Sequence, residues 1–197
     1  MPFGPKTKCP WITLNGEEIP DSEFVIEHLK DHFNVKLDSK LSAVEEANLE
    51  TVKILIEEHL FWCVIAWRYW LDRCESFMKS QVFSKPLSWF FPIFMVSGIK
   101  KKSMIQGIGK HSEVEIYQIC KKDCQTLSTI LGTKKYFGGD TPCTADCAIF
   151  GGLSQLMWNA PESKYEDLLK EKYKNLAQYC LRMKENAFPD WNNLLVQ

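Results

Sequence analysis

An excess of charge of either sign is missing: 24 Lys and Arg stand against 25 Asp and Glu, leaving a net charge of −1. Proteins that hold nucleic acid or an acidic partner through their overall field need a surplus of one sign, so that class is excluded. CxxC pairs are missing as well. The eight cysteines are Cys9, Cys63, Cys74, Cys120, Cys124, Cys143, Cys147 and Cys180. The i,i+4 pairs Cys120/Cys124 and Cys143/Cys147 lack the His or further pair that would complete a tetrahedral metal set. The opening MPFGPKTK has no apolar leader core, which with free thiols points to a reducing, cytoplasmic setting. The one segment that suggests a bilayer, PLSWFFPIFMVSGI at residues 86–99, is too short for a span, contains Pro92 and is followed by Lys100, Lys101 and Lys102. No internal repeat is present.

What is there reads as globular: 45% apolar and 25% charged residues. A chain of 197 residues buries roughly two thirds of its unfolded surface in one or two domains. CPWITL is short, apolar and β-branched, Asn15-Gly16 is a strong two-residue hairpin signal, and EEI returns as a second strand. Asp21 or Ser22 then caps a helix expected to run to about Leu29, with Glu23 at its positive end. Two strands and one helix leave a sheet face and an edge uncovered, so this β-β-α unit is incomplete by itself. The polar stretch DHFNVKLDSKLS marks a boundary, giving domains 1–35 and 40–197.

The second domain reads as all helical. Ser42-Ala43-Val44-Glu45 is a capping box opening a helix free of Pro and Gly to about Met78. Its half LFWCVIAWRYWL is apolar all round except for Arg68, so it belongs at the centre of a bundle. Arg68 there calls for a carboxylate, from Asp72 or from Glu57 or Glu58. Residues 86–102 have two readings: a helix packed in the bundle, or a peripheral membrane contact combining aromatics with a basic cluster. Ser112-Glu113-Val114-Glu115 is a second capping box, whose helix ends near Gly132. A Gly-rich turn, a helix from Ala145 to about Trp158 and a last helix from Lys164 to Asn186 complete the chain. The fold class is mostly α.

A β-β-α unit that begins with an apolar residue and Pro, then a connector and a helical domain opened by a long helix, resembles the glutathione transferase architecture. Four runs sharpen the likeness: Glu57-Glu58-His59-Leu60-Phe61-Trp62, Gly107-Ile108-Gly109-Lys110-His111-Ser112, Lys134-Lys135-Tyr136-Phe137-Gly138-Gly139-Asp140 and Asn175-Leu176-Ala177-Gln178-Tyr179-Cys180. They resemble the failed axon connections branch, a glutathione-transferase-like group related to the metaxins, over about residues 8–191. The resemblance implies a thioredoxin-like first domain with cis Pro10. It implies that Asp21-Ser22 meets the γ-glutamyl end of glutathione, beside Cys9 and Pro10. It also implies a preceding β-α-β segment that supplies the thiol-activating residue, which this sequence does not contain. The family's Ser or Thr at the start of the TADCAIF helix is here Cys143, so that helix is expected to be pinned less firmly, by Thr144 and Asp146.

Two functions follow. One is a non-catalytic interaction protein with a protein partner, itself able to dimerise and needing no cofactor, of the kind linked to axon development. The other is a glutathione-dependent transferase or thiol reductase. Cys9 is either a redox nucleophile or a buried strand thiol. Glu58 and His59 are adjacent on a helix, where neighbours do not face each other, and no third group is identifiable from the sequence. His111 has the same standing, and Trp62, Trp67, Trp70 and Trp158 read as core.

Overall fold

Asn15 and Gly16 both take positive φ, 52° and 86°, the backbone of a hairpin turn whose twist suits the strands beside it. That turn joins β1 (Trp11–Leu14) to β2 (Glu17–Pro20) in an antiparallel pair, with Trp11 opposite Pro20 and Leu14 opposite Glu17. These come from a computed structural model that describes residues 4, 10–75 and 85–194. The chain divides into two compact units, Met1–Lys40 and Leu41–Gln197.

In the first unit α1 spans Ser22–Phe33, four residues beyond the Leu29 end expected from sequence, and stops where Asn34 turns left-handed. The polar run Lys30 to His32 does not break it, because basic residues suit the last turn of a helix. Among the described residues of this unit, only Ile19 and Val25 of the larger apolar side chains are buried, while Phe24 and Phe33 are exposed. The uncovered sheet anticipated from sequence matches that thin core.

The second unit opens at the Ser42 box. Ser42 Oγ accepts from the Glu45 amide while Glu45 Oε2 accepts from the Ser42 amide, 2.8 Å. The long helix proceeds as α2 (Ala43–Leu55), a π-helical turn Ile56–Leu60, α3 (Phe61–Ile65) and a second π turn, Ala66–Leu71. It ends at Leu71 rather than near Met78, which lies outside the described residues. Asp72 closes it by an i→i−5 bond to the Trp67 carbonyl, 2.7 Å, and Arg73 and Cys74 both turn to positive φ. Leu60, Cys63, Val64, Ala66 and Trp67 are buried as the apolar run requires, but Phe61 is 41% exposed, so the helix is central without being enclosed. Trp62, Trp70 and Trp158 pack against the core half-buried rather than inside it.

Among the described residues, further helices pack around that axis. They are α4 (Lys85–Gln106), a 3-10 turn at Ile108–Lys110, α5 (Glu113–Leu131) and α6 (Thr144–Met157). The last helix expected from sequence is divided into α7 (Lys164–Asp167), a π turn Leu168–Lys172 and α8 (Lys174–Ala187), and a short α9 (Trp191–Leu194) follows. The division falls at Tyr173, whose φ of −108° and ψ of 63° leave the helical region. Gly152 lets α6 approach the first π turn: a Cβ there would lie 2.4 Å from Ile56 Cγ2. The core joins Ile116, Cys120, Leu127 and Leu131 of α5 to Ile149 and Leu153 of α6 and Leu176 and Cys180 of α8.

Candidate functional site

Of the four residues the resemblance assigns to glutathione, Cys9 lies outside the described residues. The hairpin brings two of the others together: the Asp21 amide donates to the Pro10 carbonyl at 3.2 Å. Asp21 takes φ 83° and ψ 129°, a backbone that L residues adopt at a cost, and it is the N-cap of α1, its Oδ1 accepting from the Glu23 amide at 3.2 Å. Ser22 is exposed in the first turn. The pair therefore stands at a helix start with backbone N–H groups nearby, geometry suited to a carboxylate. The cap alone also accounts for the Asp21 side chain.

In the helical unit three junctions join distant parts of the chain, and the runs that carried the resemblance take part in the first two. The first is Asp146, fully buried at the start of α6. Its Oδ1 accepts from the Phe137 amide at 2.9 Å, and its Oδ2 from the amides of Gly138 and Cys143 at 3.1 and 3.0 Å. The Cys143 thiol lies 3.3 Å from Oδ2, and the buried Tyr179 hydroxyl donates to the Asp146 carbonyl at 3.0 Å. Cys143 occupies the N-cap, and Thr144 is the first helical residue rather than the cap. At this start a buried carboxylate with three N–H donors shares the work that a hydroxyl cap would do. Asn175 of the last run ties α5 to α8, donating to the carbonyls of Ser128 (2.9 Å) and Gly132 (3.2 Å) while its Oδ1 accepts from Ser128 Oγ at 2.7 Å.

The second junction joins Glu57–Trp62 to Gly107–Ser112. The Gln106 amide donates to the Glu58 carbonyl at 3.1 Å and accepts from the Ile108 amide at 3.0 Å. Gly109 passes so close that a Cβ would sit 2.7 Å from the Met104 backbone nitrogen. Ser112 repeats the Ser42 arrangement with Glu115, whose carboxylate accepts from the Ser112 amide at 2.7 Å. The third group that sequence reasoning did not find for His59 is Asp123, its Oδ2 at 2.8 Å from Nδ1. Asp123 is buried on α5 in the stripe Ile116, Cys120, Leu127 and Leu131. Burial raises its pKa, against the pull of His59 and Lys122. A carboxylate in an apolar stripe needs a partner, and that was the available signal.

The third junction is Arg68. It donates to Gln155 Oε1 (2.7 Å) and to the carbonyls of Gln155 (3.3 Å) and Asn159 (3.1 Å), partners beyond the carboxylates named from sequence. Burial lowers its pKa, with Tyr69 and Asp72 opposing that through attraction. The α6 C-terminus supplies carbonyls with no intrahelical donor, which is what a buried guanidinium can satisfy. In the 86–102 segment, α4 carries exposed Lys100, Lys101 and Lys102, and Lys100 Nζ lies 5.4 Å from the centre of the Trp70 ring. The side chains of 85–95 lie outside the described residues. Among the described residues no helix is long and apolar enough to cross a membrane.

Comparison with known proteins bears on these junctions. A model for the glutathione S-transferase N-terminal domain matches residues 1–74, and one for the glutathione S-transferase C-terminal domain matches residues 120–183. The chain is 35% identical over 206 residues to Failed axon connections of Drosophila melanogaster, covering 96% of this chain and 49% of that protein. It is similar to Metaxin-2 of Mus musculus, 24% identical over 202 residues, covering 96% of this chain and 73% of that one. This chain belongs to the glutathione S-transferase-like, metaxin-related family. A relative named isoprene-epoxide–glutathione S-transferase, from Rhodococcus sp. (strain AD45), is 27% identical over 190 residues, 92% of this chain and 78% of that one. The chain spans about half the length of Failed axon connections.

A glutathione S-transferase-like protein that performs thiol chemistry needs an accessible, acidified sulfur or a donor for one. Several buried thiols here are shifted the other way. Burial raises Cys63 and pushes Cys143 and Cys180 up to about 12, and the Cys124 hydrogen bond, then burial, raises Cys120. Cys147 is the exposed thiol among those described. Among the described residues no His, Cys, Asp and Glu converge as a metal site.

Proposed function

We propose that this chain acts as a non-catalytic interaction protein of the failed axon connections and metaxin type, engaging a protein partner through the outer faces of its helical unit. The observation that carries this reading is the use of the family runs as joints. Tyr179 and Asn175 of the last run and the Glu58 carbonyl of the first bond to Asp146, Ser128 and Gln106, fixing helices to one another. The name of the Drosophila relative suggests a role in axon development, and a cytoplasmic setting suits the free thiols.

A second reading, a glutathione-dependent transferase or thiol reductase, is favoured by one contact, the Pro10–Asp21 hydrogen bond that holds the proposed glutathione half-site together, and by the enzyme among its relatives. A thermal melt with and without millimolar glutathione separates the two, because a ligand that binds only the native state raises the midpoint by mass action. The interaction reading predicts no shift. A rise that Asp21→Ala abolishes would revive the glutathione reading.

A further inference from the structure

Where the first turns of α2 face the end of α5, the helices do not close on each other. Between them is an open cavity of about 380 Å³, at the small end of the range for ligand sites. Its floor is apolar, from Leu41, Leu49, Val52, Ile130 and Phe137. The far wall is the tight turn closed by Tyr136 and Gly139, where Gly139 sits at φ 108° with no atom within 4 Å of where a Cβ would project. The mouth carries opposite charges. Lys134 Nζ lies 3.4 Å from the Phe137 carbonyl, which uses one of its three protons. Glu45, on the facing helix, is held by Ser42 through Oε2 and attracted by Lys134, and its carboxyl is lowered by the Ser42 bonds first.

An apolar acid entering here would meet Glu45, and an apolar amine would meet Lys134. A ligand with both charges on one end and an apolar body avoids both conflicts and uses both groups. We propose that this cavity binds a small zwitterion with a large apolar side chain, an α-amino acid or dipeptide, with its carboxylate on Lys134, its ammonium on Glu45 and its side chain on Leu49, Val52 and Ile130. The site lies within the helical unit and does not depend on the interaction reading or on the glutathione half-site.

The test is an NMR titration of the full chain with L-phenylalanine, beside 3-phenylpropionate, phenethylamine and L-alanine as probes that each lack one feature. Saturable shifts are expected at the amides of Asn48, Gly138 and Gly139 with phenylalanine. Each of the other three should need about tenfold more ligand, the loss of one charged or apolar contact. Ile130→Trp, at a partly exposed position that tolerates bulk, should fill the cavity and abolish the shifts. Glu45→Gln, which keeps an acceptor for Ser42, should weaken phenylalanine more than phenylpropionate. Absence of saturable shifts with phenylalanine would overturn the proposal, as would equal binding of phenylpropionate or shifts that survive Ile130→Trp.

Discussion

Asp146 is the residue on which most of the helical unit converges. Replacing it with Ala leaves the buried amides of Phe137 and Cys143 and the half-buried amide of Gly138 without an acceptor. At about 1 kcal/mol or more for each orphaned donor, Asp146→Ala should cost about 3 kcal/mol or more in urea denaturation. A loss below about 1 kcal/mol would show that the turn re-forms without it. Asp123 makes a different prediction because its pKa is raised by burial, with His59 pulling it back. The native state then holds the proton more tightly than the unfolded chain does. Its contribution to stability is complete below the unfolded carboxylate range and is lost as pH rises through the raised native value. Subtracting the stability of Asp123→Asn from that of the wild type at each pH should therefore give a difference that declines from acid toward neutral pH. A difference that grows with pH would mean that the His59 pairing outweighs burial.

At the scale of elements, the signals that proved readable were local ones. The Asn15-Gly16 turn and the two Ser-x-x-Glu boxes depend on residues within four positions of one another, and they describe the structure found there. Helix ends were less readable. The long helix stops at Leu71 and the last one breaks at Tyr173, both through i→i−5 bonds that shift the register without Pro or Gly to announce it. Partners distant in sequence were the least readable. Arg68 finds carbonyls 87 and 91 positions away and His59 finds Asp123 64 positions away, choices that depend on which helix crosses which. Cys143 sits between these cases. The sequence shows a poor cap, but only the fold shows that Asp146 compensates. Cys143→Ser supplies a hydroxyl at a position too crowded for more, since a Cβ on Gly138 would lie 2.8 Å from the Cys143 Cβ. It should stabilise the chain by up to about 1 kcal/mol in thermal denaturation. Destabilisation by a similar amount would mean that the packing of the sulfur matters more than the cap.

At the scale of the whole molecule, the two units differ in how much they bury. Among the described residues, the first has a two-stranded sheet, one helix and two buried larger apolar side chains, whereas the second carries the continuous core. The residues that the resemblance ties to glutathione lie in the thin unit, and the runs that tie the chain to its family lie chiefly in the thick one. That separation is why family membership could be read from the sequence while the site could not: the family runs encode joints between helices, and joints are kept whether or not a reaction is catalysed. The proposed function has this protein hold partners rather than turn over substrate. It is tested most directly by the rate at which the purified chain conjugates glutathione to a chloronitrobenzene. A partner-holding protein should give a rate equal to the uncatalysed background and unchanged by Ser22→Ala. A saturable rate above background that Ser22→Ala or Asp21→Ala removes would contradict it.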